Sequence, residues 1–300
     1  MDLFCKLAAR GAVPKYIRAC FPARAKDSHK GSFGRAWLVC GSRLYTGAAL
    51  LAAEGCLRMG AGLTYLAAPG EVTAAARMRL PELICRDMPK VTQEPAAYPP
   101  LLAEADAILI GPGIGQEGDV TAFADMIAAL LSTRGAPVVL DADALNILAR
   151  AGAREILRDA RRAAILSPHP MEFARLTGLD IAAVQADRAG HACRFAAETG
   201  ATILLKGAGS IVARPDGAYA TVPSGTPALA KGGTGDVLAG MLTALLAQGL
   251  PPADAAFSAA YLHGKAGEEL AAVYGERGVL PSELPAAAAR ALRKTIHSLL

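Results

Sequence analysis

The sequence predicts an α/β protein of three layers, a mostly parallel central sheet with helices on both faces, and three observations carry that prediction. Short apolar runs alternate with longer segments of helical spacing. Each run ends in a cluster of Gly, Pro, Asp or Ser. The alternation breaks once, near Ser210, where two short runs flank a turn. Strands covered on both faces read as continuous apolar runs, and strand–helix–strand order requires parallel pairing.

In chain order, buried strands are expected at residues 36–40, 63–67, 107–110, 137–140, 164–166 and 203–205, with helices at 48–59, 120–131 and 182–198. Pro95, Pro99 and Pro100 mark a loop. Residues 210–214 and 219–222, joined across Pro215-Asp216-Gly217, predict a β-hairpin near 210–223. Beyond it, 236–248, 252–274 and 284–296 read as helices. With no internal repeat, low-complexity tract or long linker, residues 28–300 are expected to form one domain, preceded over 1–27 by a basic arm or first helix.

Composition narrows the functional classes. At 53% hydrophobic and 19% charged residues, the chain is neither disordered nor a polyelectrolyte. Its longest apolar run, 237–247, contains Gly240 and Thr243 and falls well short of the ~20 residues a spanning helix needs, so no membrane association is expected. A net charge of +4 is too weak and diffuse to argue for nucleic acid. Eight basic residues before position 36, among them Lys6, Arg10 and Arg18, face only Asp2 and Asp27. That start is Arg-rich like a transit peptide, but it has no serine before Ser28 and no long apolar stretch, so a solvated arm or helix is expected. Six scattered cysteines (Cys5, Cys20, Cys40, Cys56, Cys85 and Cys193), none in a C-x-x-C pair, fit a reducing cytoplasm and no zinc site.

Four segments carry chemistry. Gly113-Ile114-Gly115-Gln116-Glu117-Gly118 follows a strand, and Asp141 lies 23 residues past Gly118, the spacing of a dinucleotide-binding turn. Earlier strand–helix units precede it and Pro112 enters it, so a different ligand-lining loop and a purely structural turn stand beside that reading. Lys231-Gly232-Gly233-Thr234-Gly235-Asp236 is sharper, because it runs straight into an apolar helix. Glycines at a helix start leave N–H groups aimed at one point where the dipole favours negative charge. Gly232, Gly233, Thr234 and Gly235 therefore form a candidate anion hole, and Asp236 is a candidate base for an attacking hydroxyl. The alternative is that Thr234 or Asp236 only caps the helix. No G-x-x-x-x-G-K-[ST] occurs, so this is not a P-loop. Lys206-Gly207-Ala208-Gly209-Ser210 ends a strand and suits close approach of backbone to a nucleotide, or a turn into the hairpin. In Pro168-His169-Pro170-Met171-Glu172 the prolines hold His169 at a strand end, out of a helix until Met171, where ligand contact is favoured; Glu172 opens that helix.

Taken in order with His29-Lys30-Gly31-Ser32-Phe33-Gly34, Gly41-Ser42, Thr46-Gly47-Ala48-Ala49, Ile110-Gly111-Pro112-Gly113 and Leu140-Asp141-Ala142-Asp143-Ala144-Leu145-Asn146, these blocks resemble the signature of the ADP-dependent NAD(P)H-hydrate dehydratases. The blocks run from about residue 29 to Gly267 and are far more specific together than singly. The resemblance implies a ribokinase-like fold with the nucleotide along the sheet's carboxyl edge. It implies that Asp236 is the base, that Lys206, Gly207, Ala208, Gly209, Ser210 and Gly235 hold the AMP part of the nucleotide, and that Ala48, Gly115, His169 and Asp236 contact the hydrated cofactor; by spacing, Gly113 matches as well as Gly115. His169-x-x-Glu172 is similar to the N-x-x-E through which related kinases organise Mg²⁺ and phosphate, an indirect metal role for Glu172. Met171 stands where a glycine is usual, and Ser224-Gly225-Thr226-Pro227 replaces an Asn-Pro approach to the glycine-rich loop. The implied reaction returns the S form of NADHX or NADPHX to NADH or NADPH while ADP becomes AMP and phosphate, in a cytoplasmic homo-oligomer, a tetramer. A kinase of a small vitamin or sugar hydroxyl and a non-catalytic nucleotide-binding module are the alternatives.

Overall fold

Residues 12–118 and 120–297 are described by the computed structural model, and nine strands among them form one sheet. The strands are β1 (Arg35–Val39), β2 (Leu63–Ala68), β3 (Ile84–Asp87), β4 (Ala107–Ile110), β5 (Val138–Leu140), β6 (Ala164–Leu166), β7 (Thr202–Leu205), β8 (Ile211–Ala213) and β9 (Tyr219–Thr221). Their order is β3-β2-β1-β4-β5-β6-β7-β8-β9. Every pairing from β3 to β7 is parallel, and the hairpin β8–β9 adds two antiparallel strands to one edge. The helices are α1 (Ala12–Cys20), α2 (Thr46–Arg58), α3 (Gly70–Arg79), α4 (Pro99–Leu102), α5 (Val120–Ser132), α6 (Asp143–Ala151), α7 (Ala153–Arg158), α8 (Pro170–Thr177), α9 (Ile181–Ala186), α10 (Arg188–Thr199), α11 (Thr234–Ala247), α12 (Pro252–Gly278) and α13 (Leu284–His297).

Side chains alternate across the sheet, so successive strand residues enter different cores. Leu38, Leu66, Leu109, Val139 and Leu204 pack beneath α2, α11, α12 and α13, whereas Trp37, Ile108, Ile110, Leu140 and Leu205 pack beneath α5 to α10. Tyr16 and Ile17 of α1 are buried in the first core, and Tyr16 Oη donates to Asp254 Oδ1 at 2.6 Å. Lys6, Arg10 and Cys5 lie outside the described residues.

The structure corrects several expected elements. β3, α3, α6 and α7 were not expected; β3 is an edge strand with Arg86 and Asp87 exposed, and α3 buries only Val72, Thr73 and Ala76, so neither of these two shows a periodic apolar signal. The helix expected at 182–198 is two, α9 and α10, because Asp187 leaves helical geometry and caps α10 by accepting from Gly190 N at 2.8 Å. The proline loop holds a 3-10 turn (Pro95–Ala97) and the single-turn α4, since proline fits the first turn of a helix. α12 continues to Gly278 across a kink at Gly275.

Two glycines let α2 and α11 cross at close range. A Cβ built on Gly240 of α11 lies 1.9 Å from the Ala52 carbonyl oxygen of α2, and one on Gly55 lies 2.5 Å from the Val237 carbonyl oxygen. The two backbones therefore touch where the helices cross. Gly240→Ala is expected to lower the unfolding free energy by about 1–3 kcal/mol or more, because main chain has to move. Gly70→Ala, whose added Cβ meets nothing within 4 Å, is the control and is expected to stay within about 0.5 kcal/mol of the parent in the same denaturant titration.

Candidate functional site

The strand order reverses between β1 and β4, the place where open parallel sheets leave a crevice at their carboxyl edge. The loops beyond the two strands are laced together, with Gly41 N donating to Pro112 O at 2.7 Å and Gly111 N to Val39 O at 3.2 Å. Chain leaving β5, β6 and β7 brings Asp141, Glu172 and Lys206 toward the start of α11 along this edge.

At the start of α11 the cap residue is Gly233, in left-handed geometry (φ 99°, ψ −20°), and no side chain caps the helix. A side chain at Gly233 would also strike Leu51 at 2.7 Å. Thr234 and Asp236 are thus not N-caps: the Thr234 hydroxyl turns back to donate to Leu229 O at 2.8 Å and Lys231 O at 3.0 Å. The N–H groups of Gly235 and Asp236 precede the first intrahelical acceptors and stay open to an anion. Lys231, first in the motif, points elsewhere, donating to the Arg277 and Val279 carbonyls at the end of α12.

Four charged groups converge here. Lys206 Nζ, at the end of β7, donates to Asp141 Oδ1 at 2.8 Å and lies 4.0 Å from Glu172 Oε2, and a Cβ built on Gly235 would lie 3.5 Å from the same nitrogen. Asp141 is buried, so the ammonium is its compensating charge. Burial, with repulsion from Asp141, pushes the Asp236 carboxyl up to about 7 against the pull of Lys206. Burial likewise pushes Glu172 up to about 7, with Lys206 opposing. Burial disfavours the Lys206 charge, but Asp141, Glu172 and Asp236 together hold it above the usual lysine range.

α8 begins at Pro170, one residue earlier than expected, and His169 is its N-cap. His169 Nδ1 accepts from Met171 N at 3.1 Å and Glu172 N at 3.2 Å, while Glu172 Oε2 accepts from His169 N at 2.8 Å. This is a capping box built from histidine and glutamate. Burial and the Lys206 charge lower the His169 pKa. The ring is then neutral at pH 7, and with Nδ1 accepting, its proton sits on Nε2, which lies 3.4 Å from Glu172 Oε1 in a half-exposed side chain. Loss of the cap in His169→Ala is expected to cost about 0.5–2 kcal/mol, with His169→Asn recovering most of it in thermal unfolding.

The geometry separates Gly113 from Gly115. A side chain on Gly113 would collide with Tyr45 and Ala48 at 2.7 and 2.8 Å, so that glycine serves packing against α2. Gly115 lines a cavity of about 720 Å³, and its N–H donates to Asp143 Oδ2 at 2.9 Å; Asp143 Oδ1 also accepts from Gln116 at 3.1 Å. Between Asp141 and Asp143, Ala142 is the only described non-glycine residue with positive φ (50°). This backbone, which costs of order 1–3 kcal/mol, turns one carboxylate toward Lys206 and the next toward Gly115.

Gly207, Ala208, Gly209 and Ser210 form a separate rim beyond Lys206. Arg188 of α10, not singled out from the sequence, staples it by donating to the Leu205, Lys206 and Ala208 carbonyls at 3.2, 3.2 and 2.6 Å. The Ser210 hydroxyl donates to Gly207 O at 3.1 Å and so is spent within the loop. In the atypical approach segment, Ser224 donates to Tyr261 O at 2.8 Å and Thr226 caps a 3-10 turn (Pro227–Leu229). Among the described residues no three His, Cys, Asp or Glu side chains are grouped to hold a metal, Cys20, Cys40, Cys56, Cys85 and Cys193 are free, and no helix is long and apolar enough to cross a membrane.

A profile described as NAD(P)H-hydrate dehydratase matches residues 36–290. The chain is 38% identical over 278 residues to the ADP-dependent (S)-NAD(P)H-hydrate dehydratase of Neisseria meningitidis, covering 92% of this chain and 90% of that one. It spans about half the length of the bifunctional NAD(P)H-hydrate repair enzymes that it also matches, 51% of that from Moorella thermoacetica at 40% identity. Among solved structures, the ADP/ATP-dependent NAD(P)H-hydrate dehydratase of Bacillus subtilis co-crystallized with ATP/Mg²⁺ superposes with a TM-score of 0.82 at 34% identity, covering 94% of this chain and 97% of that one. A ribokinase-like superfamily protein from Enterococcus faecalis gives 0.81 at 28% identity, covering 94% of each chain.

Proposed function

The chain belongs to the NAD(P)H-hydrate dehydratase family, and from the site just described we propose that it restores NADH or NADPH from the S form of the hydrated cofactor at the expense of ADP. One observation carries the reading: Asp236, its carboxyl raised to about 7, stands beside an uncapped helix start and the Lys206 ammonium. That pairs a proton acceptor with an anion site at one point of the sheet edge.

Hydroxide leaves poorly from the hydrated ring, whereas phosphate leaves well. Asp236 accepts the proton of the ring hydroxyl, whose oxygen attacks the terminal phosphorus of ADP; the bond to the bridging oxygen breaks and AMP departs. The amides of the Gly232-Gly233-Thr234-Gly235 loop and Lys206 hold the charge that develops on the transferred phosphoryl oxygens. The ring carbon–oxygen bond then breaks, phosphate leaves, and loss of a ring proton restores the double bond. Gly207 to Ser210 seat the AMP part, while Ala48, Gly115 and His169 contact the hydrated cofactor.

Mg²⁺ fits only as a companion of the nucleotide, since no protein cage exists among the described residues and Glu172 is already engaged by the His169 N–H and Lys206. When bound it supplies charge neutralisation to the phosphates, and Glu172 acts toward it indirectly by fixing Lys206 and His169. The test is incubation with NADHX, Mg²⁺ and either ADP or ATP, following the return of NADH absorbance. Recovery dependent on nucleotide supports the reading, and no recovery with either nucleotide refutes it.

A further inference from the structure

The buried face of α12 is apolar along most of its length, and one ionisable side chain interrupts it. His263 is only 6% exposed and has no part in the chemistry at Asp236 described so far. Burial pushes its pKa down to about 4, against the pull of the Thr234 main-chain carbonyl and with the Lys206 charge adding to the fall. The ring is therefore neutral at pH 7, with one nitrogen to donate and one to accept. Nε2 is buried without a hydrogen-bond partner among the described residues, so the bond to Thr234 is made by Nδ1, which donates to the carbonyl. A half-paired imidazole in an apolar interior costs stability, and a leucine would fill the same space without that cost.

The way α12 meets the glycine-rich loop sets the place of the ring. A Cβ built on Gly264 would collide with Ser224, and one on Gly267 would lie 2.8 Å from the Leu229 side chain. This face of α12 thus presses directly on the segment that leads into the loop, and His263, one turn from Gly267, shares it. Polar ties run along the same contact. Ser224 Oγ donates to Tyr261 O at 2.8 Å, Gly225 N donates to Glu268 Oε1 at 2.9 Å, and Lys231 Nζ reaches the Arg277 carbonyl at 3.1 Å. The Thr234 hydroxyl is spent on the Leu229 and Lys231 carbonyls. At the last residue before the open amides, His263 is the tie between α12 and the loop.

The Thr234 carbonyl and the Gly235 N–H belong to one peptide unit, which is planar and trans, so the two point in opposite directions. A donor on the oxygen fixes the direction of the N–H and polarises it, strengthening its bond to an anion on the far side. We infer that His263 is a positioning residue of the anion hole: held behind the loop, it aims and polarises the Gly235 N–H toward the terminal phosphate of the nucleotide through the Thr234 carbonyl. This rests on the function proposed above.

The experiment uses His263→Leu, which fills the space and removes the donor. Calorimetric titrations with ADP and with AMP, both in Mg²⁺, read the hole, because only ADP places a phosphate there. The ratio of Kd for ADP to Kd for AMP is expected to rise about fivefold or more. With NADHX, kcat is expected to fall about tenfold, short of the ~10²–10³ lost when an oxyanion donor is removed outright. The denaturant midpoint should stay at or above the parent's, since an unpaired buried nitrogen has gone. His263→Asn, whose amide nitrogen takes the place of Nδ1, is expected to bring kcat back to within about threefold of the parent. A histidine that serves only packing would weaken both nucleotides together, in step with the folded fraction. A Kd ratio that rises less than about twofold, or an asparagine variant as slow as the leucine one, overturns the role. Should the leucine variant fail to fold, His263→Met is read by the same ratio. If the parent does not turn over NADHX, the functional reading falls separately, and the Kd ratio still decides the place of His263.

Discussion

Asp236→Asn is expected to lower kcat by about 10²–10⁴ while the protein stays folded, because asparagine keeps the shape of the side chain but cannot accept the hydroxyl proton. Affinity for ADP should hold or improve, since a negative charge beside the phosphate site has gone. The pH dependence gives a second check. With the Asp236 carboxyl pushed up to about 7 by burial and by Asp141, the base is ionised only above that pH, so the parent's kcat should rise with pH across neutrality. The stability effect has the same origin. A carboxyl whose pKa is raised on folding binds protons in the native state between its ordinary value of 3.8 and about 7, so stability falls as pH rises through that window. The asparagine variant should lose part of that decline. A variant with near-parental kcat, or one that loses activity only in step with its folded fraction, would remove Asp236 from the chemistry.

How far the site was legible in the sequence follows from which contacts are local. The parallel strands were readable because burial on both faces leaves continuous apolar runs such as Ala107–Ile110, whereas β3 at the exposed edge, with Arg86 and Asp87 in water, leaves no such mark. The anion loop was readable because its glycines and Asp236 adjoin a helix start. What no spacing rule supplies is the pairing of Lys206 with Asp141, 65 residues apart. Nor does spacing indicate that Arg188 ties down the Gly207 to Ser210 rim, or that Ala142 adopts positive φ to divide its two aspartates between two neighbours. His169 shows the same limit from the other side. Its position at a strand end was readable, yet its Nδ1 proves to be a helix cap and its Nε2 lies 3.4 Å from Glu172 Oε1, so both ring nitrogens meet the start of α8.

Those long-range pairings change what Lys206 should do. Read as a nucleotide contact alone, Lys206→Ala would raise KM for ADP and little else. In the structure the ammonium compensates the buried Asp141 and draws down the pKa values of Glu172 and Asp236. Removing one member of a buried pair leaves the other charge uncompensated, which typically costs about 3–5 kcal/mol. Lys206→Met, which keeps the aliphatic stem, isolates the charge. Because the Lys206 pKa is held up, its contribution is fully present below the ordinary lysine value of 10.5, so the variant's deficit is expected at pH 7. The deficit should narrow toward pH 5 as Glu172 and Asp236, both already raised by burial, take up protons. Activity should respond on two axes. KM for ADP rises, and the acid limb of kcat moves to higher pH, because Asp236 has lost the cation that favoured its ionised form. Denaturant titrations at pH 5 and 7, with kcat–pH profiles at saturating ADP, measure both. An effect confined to KM, with unmoved pH limb and stability, would return Lys206 to a nucleotide contact and detach it from the charge balance that keeps Asp236 able to act as a base.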